Sequence, residues 1–202
     1  MRITCRICRR VGASVCGREK CAFKRKPYAP GIHGKGKKRR REGSEFSTQL
    51  RDKQVVRFSY GISESQFRAY VMKSLAGYGG NVVQGLISLL EMRLDNVVYR
   101  LGFAPSRALA RQLVSHGHIT VGGRKVFVPS YQVRAGQVVA IAARSQSKGA
   151  FQNLDATLQK QKAPDWLTLE PAKREGVVMS LPKVEDVVRS YNIKSIIEFY
   201  SK

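Results

Sequence analysis

Four cysteines fall early in the chain, Cys5, Cys8, Cys16 and Cys21, at the spacing C-x2-C-x7-C-x4-C. Thiolates bind zinc tetrahedrally, and two close pairs can complete a four-sulfur shell with little chain between them. The first residues lack the apolar core of a secretion signal, so the expected compartment is the cytoplasm. There a bound metal is a commoner fate for clustered cysteines than a pair of disulfides. Neighbouring Arg and Lys side chains favour the thiolate form. The expected cofactor is one structural Zn2+ held by all four sulfurs, with free thiols and an iron–sulfur cluster as the alternatives.

A second grouping is cationic. Arg107 and Arg111 stand four residues apart, so on a helix both guanidinium groups leave the same side. Arg124 and Lys125 follow at the tip of an expected hairpin, and His116 and His118 lie between. A guanidinium can hold two phosphate oxygens at once, which suits this set to a polyanion, and a solvated charged face is the alternative. His116 and His118 have no acidic partner close in sequence, so a structural or RNA-contacting role is expected of them and not acid–base catalysis. A third grouping is the run KGKKRRRE, with Lys35, Lys37, Lys38, Arg39, Arg40 and Arg41. Residues 1–42 hold 15 Lys and Arg against Glu19 and Glu42. Prolines, glycines and like charge cannot build a packed core there, so 24–42 is expected to be a strap that orders against RNA phosphates.

The elements that must position these groups are legible in the apolar spacing. Leu94, Val97, Val98 and Leu101 form a one-sided stripe that predicts a helix ended by Gly102 and Pro105. Ser106 stands where an N-cap belongs, and the next helix, Arg107 to about His116, should turn Leu109, Leu113 and Val114 inward. Gly117 ends it. A strand from His118 to Val121, the turn Gly122-Gly123 and a return from Lys125 to Val128 make a hairpin, and a further strand covers Val138 to Ile141. Upstream, residues 45–60 read as a helix bearing Arg51, Lys53 and Arg57 around Leu50 and Val55, ending at Tyr60-Gly61. Ser63 and Gln66 form a capping box, Ile62 can pack on Phe67, and Phe67, Val71 and Leu75 line one face. Asn81 caps a helix through Leu86, Leu89 and Leu90 toward Arg93. Downstream, Phe151, Leu154 and Leu158 mark a short helix, Trp166 to Leu169 and Val177 to Leu181 a strand pair, and Ile193, Ile196, Ile197 and Tyr200 a terminal helix.

Composition bounds the partners. The 202 residues carry 37 Lys and Arg against 14 Asp and Glu, a formal net charge of +23, while 43% are hydrophobic. Such a chain can bury a core and repels itself unless a polyanion, most commonly a nucleic acid, is present. The longest wholly apolar run, Val138 to Ala143, is far too short to span a bilayer.

The string SRALARQLVSHGHITVGGRKV closely resembles the RNA-binding domain of the small-subunit ribosomal protein four family. RLDNVVYRLGF, PYAPGIHG, LRDKQVVRFSYGISESQFR and the terminal IIEFYSK extend the resemblance over nearly the whole chain. It implies an α+β fold in three parts: a cysteine-rich, basic N-terminal segment (1–44), a helical domain (45–92) completed by the C-terminal helix (183–202), and an RNA-binding domain of two helices on a short antiparallel sheet (93–182). Some members of the family carry a four-cysteine zinc site at this place and others none. The resemblance further implies a structural protein of the small ribosomal subunit, not an enzyme. It would bind the five-prime domain of the rRNA early in assembly, lie beside ribosomal protein five and contribute to decoding accuracy. RNA contacts are then expected from the strap, from Arg51, Lys53, Arg57 and Tyr60, from Arg93, and from Arg107, Arg111, His116, His118, Arg124 and Lys125. A stand-alone stress or RNA-modification factor carrying the same domain is the alternative, but little chain remains to house a catalytic unit.

Overall fold

The computed structural model describes residues 3–18, 20–35, 44–77, 81–152, 154–159, 161–185 and 192–201. The chain divides into two compact units, residues 1–86 with 187–202, and residues 87–186. The expected strap cations Lys37, Lys38, Arg39, Arg40 and Arg41 lie outside the described residues.

In the first unit, α1 (Cys5–Val11) and α2 (Ala22–Arg25) precede a 3-10 turn, Ile32–Lys35. Two longer helices follow, α3 (Glu45–Tyr60) and α4 (Glu64–Gly77). The cap is the one the sequence predicts: the Gln66 amide donates to Ser63 Oγ at 3.3 Å, and Ile62 and Phe67, on either side of the cap, are both buried. The inward face of α3 differs from the expected one. Gln49, Lys53, Val56, Ser59 and Tyr60 are buried, while Leu50 and Val55 are only half-buried. The reason is the partner. The terminal helix α9 (Ile193–Ser201) packs on α3 and brings Glu198 to Gln49 and the Phe199 ring to Lys53, so polar side chains are satisfied on that face. On α4, Ser74 takes the buried position and Leu75 is exposed. Helix α5 (Val82–Glu91) starts under Asn81, whose Oδ1 accepts from the Gln84 amide at 3.0 Å.

The second unit is built on α6 (Leu94–Arg100) and α7 (Arg107–Ser115). Leu94, Val97, Val98 and Leu101 are fully buried, as the stripe predicts. Ser106 Oγ accepts from the Leu109 amide, and Ala110 joins Leu113 and Val114 in the core with Leu109 packed half-buried against it. The sheet has five antiparallel strands in the order β2-β1-β3-β5-β4. They are β1 (Ile119–Val121), β2 (Arg124–Lys125), β3 (Val138–Ile141), β4 (Leu167–Glu170) and β5 (Glu175–Val178). A short helix, α8 (Leu154–Leu158), precedes β4. β2 is shorter than expected, and β5 ends at Val178, leaving Met179 and Leu181 exposed. Gly176 on β5 makes room for α6: a Cβ there would collide with Leu101 Cδ2. One apolar core joins α6, α7 and the strands, with Trp166 inside it.

Candidate nucleic-acid interface and metal centre

The exposed face of α7 rests on two buried carboxylates. Asp95, 3% exposed at its side chain, accepts from Arg93 Nε and Nη2 at 3.0 and 2.8 Å, and from Arg111 Nε and Nη2 at 2.9 and 2.6 Å. Glu91, fully buried, accepts from Arg100 Nε and Nη2 at 3.0 and 2.7 Å and from Asn96 Nδ2 at 2.7 Å. Asn96 in turn offers Oδ1 to Arg107 Nε at 2.7 Å, and the Arg107 guanidinium lies 4.5 Å from the Tyr99 ring centroid. The strap 129–133 fixes the start of α6, where the Leu94 and Asp95 amides donate to Tyr131 and Pro129 carbonyls.

This arrangement sorts the expected contacts. Arg107 and Arg111 leave one side of α7, Arg107 held through Nε by Asn96 Oδ1 and Arg111 through Nε and Nη2 by Asp95 Oδ2; guanidinium groups held in place this way suit phosphate recognition. Arg107 Nε donates to a neutral amide oxygen, and its guanidinium lies over an aromatic ring. Arg111 shares one carboxylate with Arg93, and the triad keeps a net charge of +1. Arg124 and Lys125 are exposed on β2, and His116 is exposed at the end of α7. His118 is half-buried, its Nδ1 2.9 Å from Ser145 Oγ. Its pKa is pushed down by burial first and then by Lys148, His116 and Lys125, so it is neutral at pH 7.

Three of the expected contacts are buried, which is a correction. Arg93 is 2% exposed and serves Asp95; Tyr60 is 2% exposed. Lys53 is buried against Glu64, with Nζ–Oε1 at 2.7 Å, and its Nζ lies 4.5 Å from the Phe199 ring centroid. These side chains help close a core. Arg57 is largely covered too, 3.4 Å from Glu64. Arg51 is exposed but donates to the Val11 and Gly12 carbonyls at 3.0 and 3.2 Å, capping the C-terminus of α1. Lys35 ends the 3-10 turn. The buried partners Glu91, Asp95 and Asn96 are functional residues that sequence reasoning missed. Asp95 and Arg111 are 16 residues apart, and no local spacing announces their pairing.

The cysteines converge. The Sγ atoms of Cys5, Cys16 and Cys21 lie within 4.8 Å of one another, and Cys8 exchanges hydrogen bonds with Cys16 and Cys21. Four thiolates about 2.3 Å from a tetrahedral ion stand about 3.8 Å apart, a spacing of this order. The donor set fits. Cys8 sulfur accepts from the Val15 and Cys16 amides, Cys16 from the Arg18 amide, and Cys21 from Ser14 Oγ and the Phe23 amide. Burial raises the Cys8 thiol and, with its sulfur neighbours, pushes Cys16 up to about 12. Burial also acts on Cys21, but the hydrogen bonds from Ser14, Phe23 and its sulfur neighbours outweigh it and bring that thiol down to about 7. A divalent ion supplies the charge that lets all four ionise together.

A small helical pair on an antiparallel sheet, bearing fixed arginines on one helix, defines an RNA-binding module. Residues 92–139 match the family profile described as the S4 domain, and residues 2–91 match the one described as the ribosomal protein S4/S9 N-terminal domain. The chain is 45% identical over 199 residues to small ribosomal subunit protein uS4 of Roseiflexus castenholzii, covering 98% of this chain and 96% of that one. It is 46% identical over 206 residues to uS4A of Alkaliphilus oremlandii and 46% identical over 209 residues to uS4 of Caldicellulosiruptor bescii, with the same coverage. The chain belongs to the small ribosomal subunit protein uS4 family.

Proposed function

We propose that the chain is a structural protein of the small ribosomal subunit that binds the five-prime domain of the rRNA early in assembly. The observation that carries this reading is the pair of buried carboxylates behind the α7 arginines: Asp95, which pairs with Arg111, and Glu91, which reaches Arg107 through Asn96. Burying two carboxylates costs free energy unless every oxygen is paired, and here the pairing fixes cations on an outer face. Whole-length similarity to uS4 proteins supports a place in the small ribosomal subunit. Arg107 and Arg111 bind phosphate, while Arg124 and Lys125 extend the cationic edge. The strap from Lys35 through Lys37, Lys38, Arg39, Arg40 and Arg41 adds further phosphate contacts. Cys5, Cys8, Cys16 and Cys21 hold one Zn2+, which cross-links a segment that has little core of its own. The protein lies in the cytoplasmic small subunit beside ribosomal protein five and contributes to decoding accuracy. Crosslinking to RNA in cells, followed by sequencing, tests this. Reads are expected to concentrate in the five-prime domain of the small-subunit rRNA. Reads spread over transfer, messenger or large-subunit RNA would instead favour a stand-alone RNA-binding factor.

A further inference from the structure

The edge of the sheet beyond the α7 arginines carries an aromatic ring that packing does not account for. Phe127 is 57% exposed, and Val128 beside it is 55% exposed. The chain here leaves β2 still close to β1: the Val126 amide donates to the Ile119 carbonyl at 3.3 Å. Ile119 and Val121 point into the core, so Thr120 and its cross-strand partner Lys125 project from the other side. Phe127 is two residues further on and rests on Gly117. A Cβ at residue 117 would collide with Phe127 Cε1 and lie 3.1 Å from Cδ1 and Cζ, so one edge of the ring is seated while the rest faces solvent. Gly117 also has φ +69°. The position therefore needs glycine for its backbone and gives the ring a flat seat.

Gly117, the seat of the ring, lies between His116 and His118. The His116 and His118 rings meet edge to face with centroids 6.1 Å apart, and His118 meets Phe151 in the same way at 6.1 Å. The charged groups that act on His118 are Lys148, His116 and Lys125, all bases. An exposed aromatic ring two residues from the exposed Lys125 suits a nucleotide, whose base offers a π-face and whose phosphate offers the opposite charge. An apolar protein surface would meet the same ring but would have to desolvate that cation.

We propose that Phe127, seated on Gly117 and two residues from the exposed Lys125, is a stacking platform for the base of one unpaired nucleotide. The proposal rests on the RNA-binding reading above and adds a ligand class to it, a splayed single-stranded base as distinct from a duplex backbone. Bases paired in an A-form helix do not offer a face to a side chain, whereas those in loops and bulges do.

The test uses the full chain and a five-prime-domain fragment of small-subunit rRNA across a salt series. Phe127→Ala should weaken binding about tenfold, by the size of one lost aromatic–base stack. Its log–log salt slope should be unchanged, since no charge is removed. Lys125→Ala should instead flatten the slope by about 0.7 to 0.9. Phe127→Trp should restore affinity, and its emission should be quenched by the RNA. The native Trp166 is 2% exposed and gives a steady background. If the unaltered chain binds and Phe127→Ala binds equally well, the platform is wrong and the RNA-binding reading stands. If the unaltered chain does not bind, both are wrong. Undiminished RNA affinity with impaired entry into small subunits would overturn the platform and assign Phe127 to a protein contact.

Discussion

The cysteine-bearing head and the unit spanning 87–186 both present cations, but they hold their shape by different means. Among the described residues the second unit has a core of 21 buried residues, drawn from two helices and the sheet. The corresponding cluster in the head holds three, Cys8, Val15 and Cys21, and two of those are cysteines of the candidate metal centre. Apolar burial at about 25 cal/mol per Å2 can support the first and cannot support the second. A positive surface can thus rest on a packed core or on a cross-link. Only the first should survive removal of a metal.

The largest expected effect follows from that. Protein purified without chelator should carry about one zinc per chain by elemental analysis, and structural zinc sites contribute on the order of 10 kcal/mol to folding of their own segment. Chelation should open residues 3–35 to proteolysis at their Lys and Arg, while emission from Trp166, buried in the other unit, stays constant. Less than a tenth of a zinc per chain, with four titratable thiols, would remove the contrast.

The reverse cut is Asp95→Ala. It leaves Arg93, 2% exposed, without its carboxylate. Breaking a buried pair in this way costs about 3 to 5 kcal/mol. Urea unfolding followed by Trp166 emission should show the loss, with zinc content unchanged. A cost below about 1 kcal/mol would mean that the carboxylate is dispensable to the core.

A smaller effect concerns how the helical unit closes on itself. Tyr200 Oη donates to Glu64 Oε1 at 2.7 Å, beside Lys53. Burial alone would raise the Glu64 pKa, but hydrogen bonds from Lys53 and Tyr200 and the charges of Lys53 and Arg57 outweigh it and hold it below its ordinary value. Because the folded value is the lower one, the pairing contributes fully above the ordinary carboxylate range. That contribution is lost as pH falls through the folded value. Tyr200→Phe should cost about 1 to 2 kcal/mol at pH 7. In thermal melts the gap between the unaltered chain and Glu64→Gln should shrink as the solution is acidified. A gap independent of pH would show that Glu64 is not ionised in the clasp.

The parts of this architecture written in local spacing were legible in advance. The α6 stripe, the Ser106 and Asn81 caps and the hairpin over Gly122-Gly123 depend on residues within four of each other. The approach of the four cysteines was legible from their clustering between Cys5 and Cys21. What the sequence hid is long-range ion pairing. Lys53 occupies an inward position on α3 because Glu64 and Phe199 come to meet it, and hydropathy alone assigns that face to Leu50 and Val55. Arg93 looked like a surface cation for the same reason, since nothing near it in sequence tells how deeply the Asp95 pair is covered. Phe127 was read as an ordinary strand residue, because strand propensity does not say which side of a short hairpin remains open.

The central claim is that buried carboxylates hold the α7 arginines ready for phosphate, and one measurement bears on it most directly. Arg107→Ala with Arg111→Ala should spare the fold, because Ala110, Leu113 and Val114 still fill the core and Asp95 keeps Arg93. Binding to the small-subunit rRNA fragment should weaken, with the log–log salt slope flattened by about 1.5 for two lost phosphate contacts. The control pair Lys173→Ala with Lys194→Ala, exposed cations outside α6, α7 and the hairpin, should change the slope much less. An unchanged slope in the arginine pair, or an equal loss in the lysine pair, would contradict the claim and leave α7 a solvated charged face.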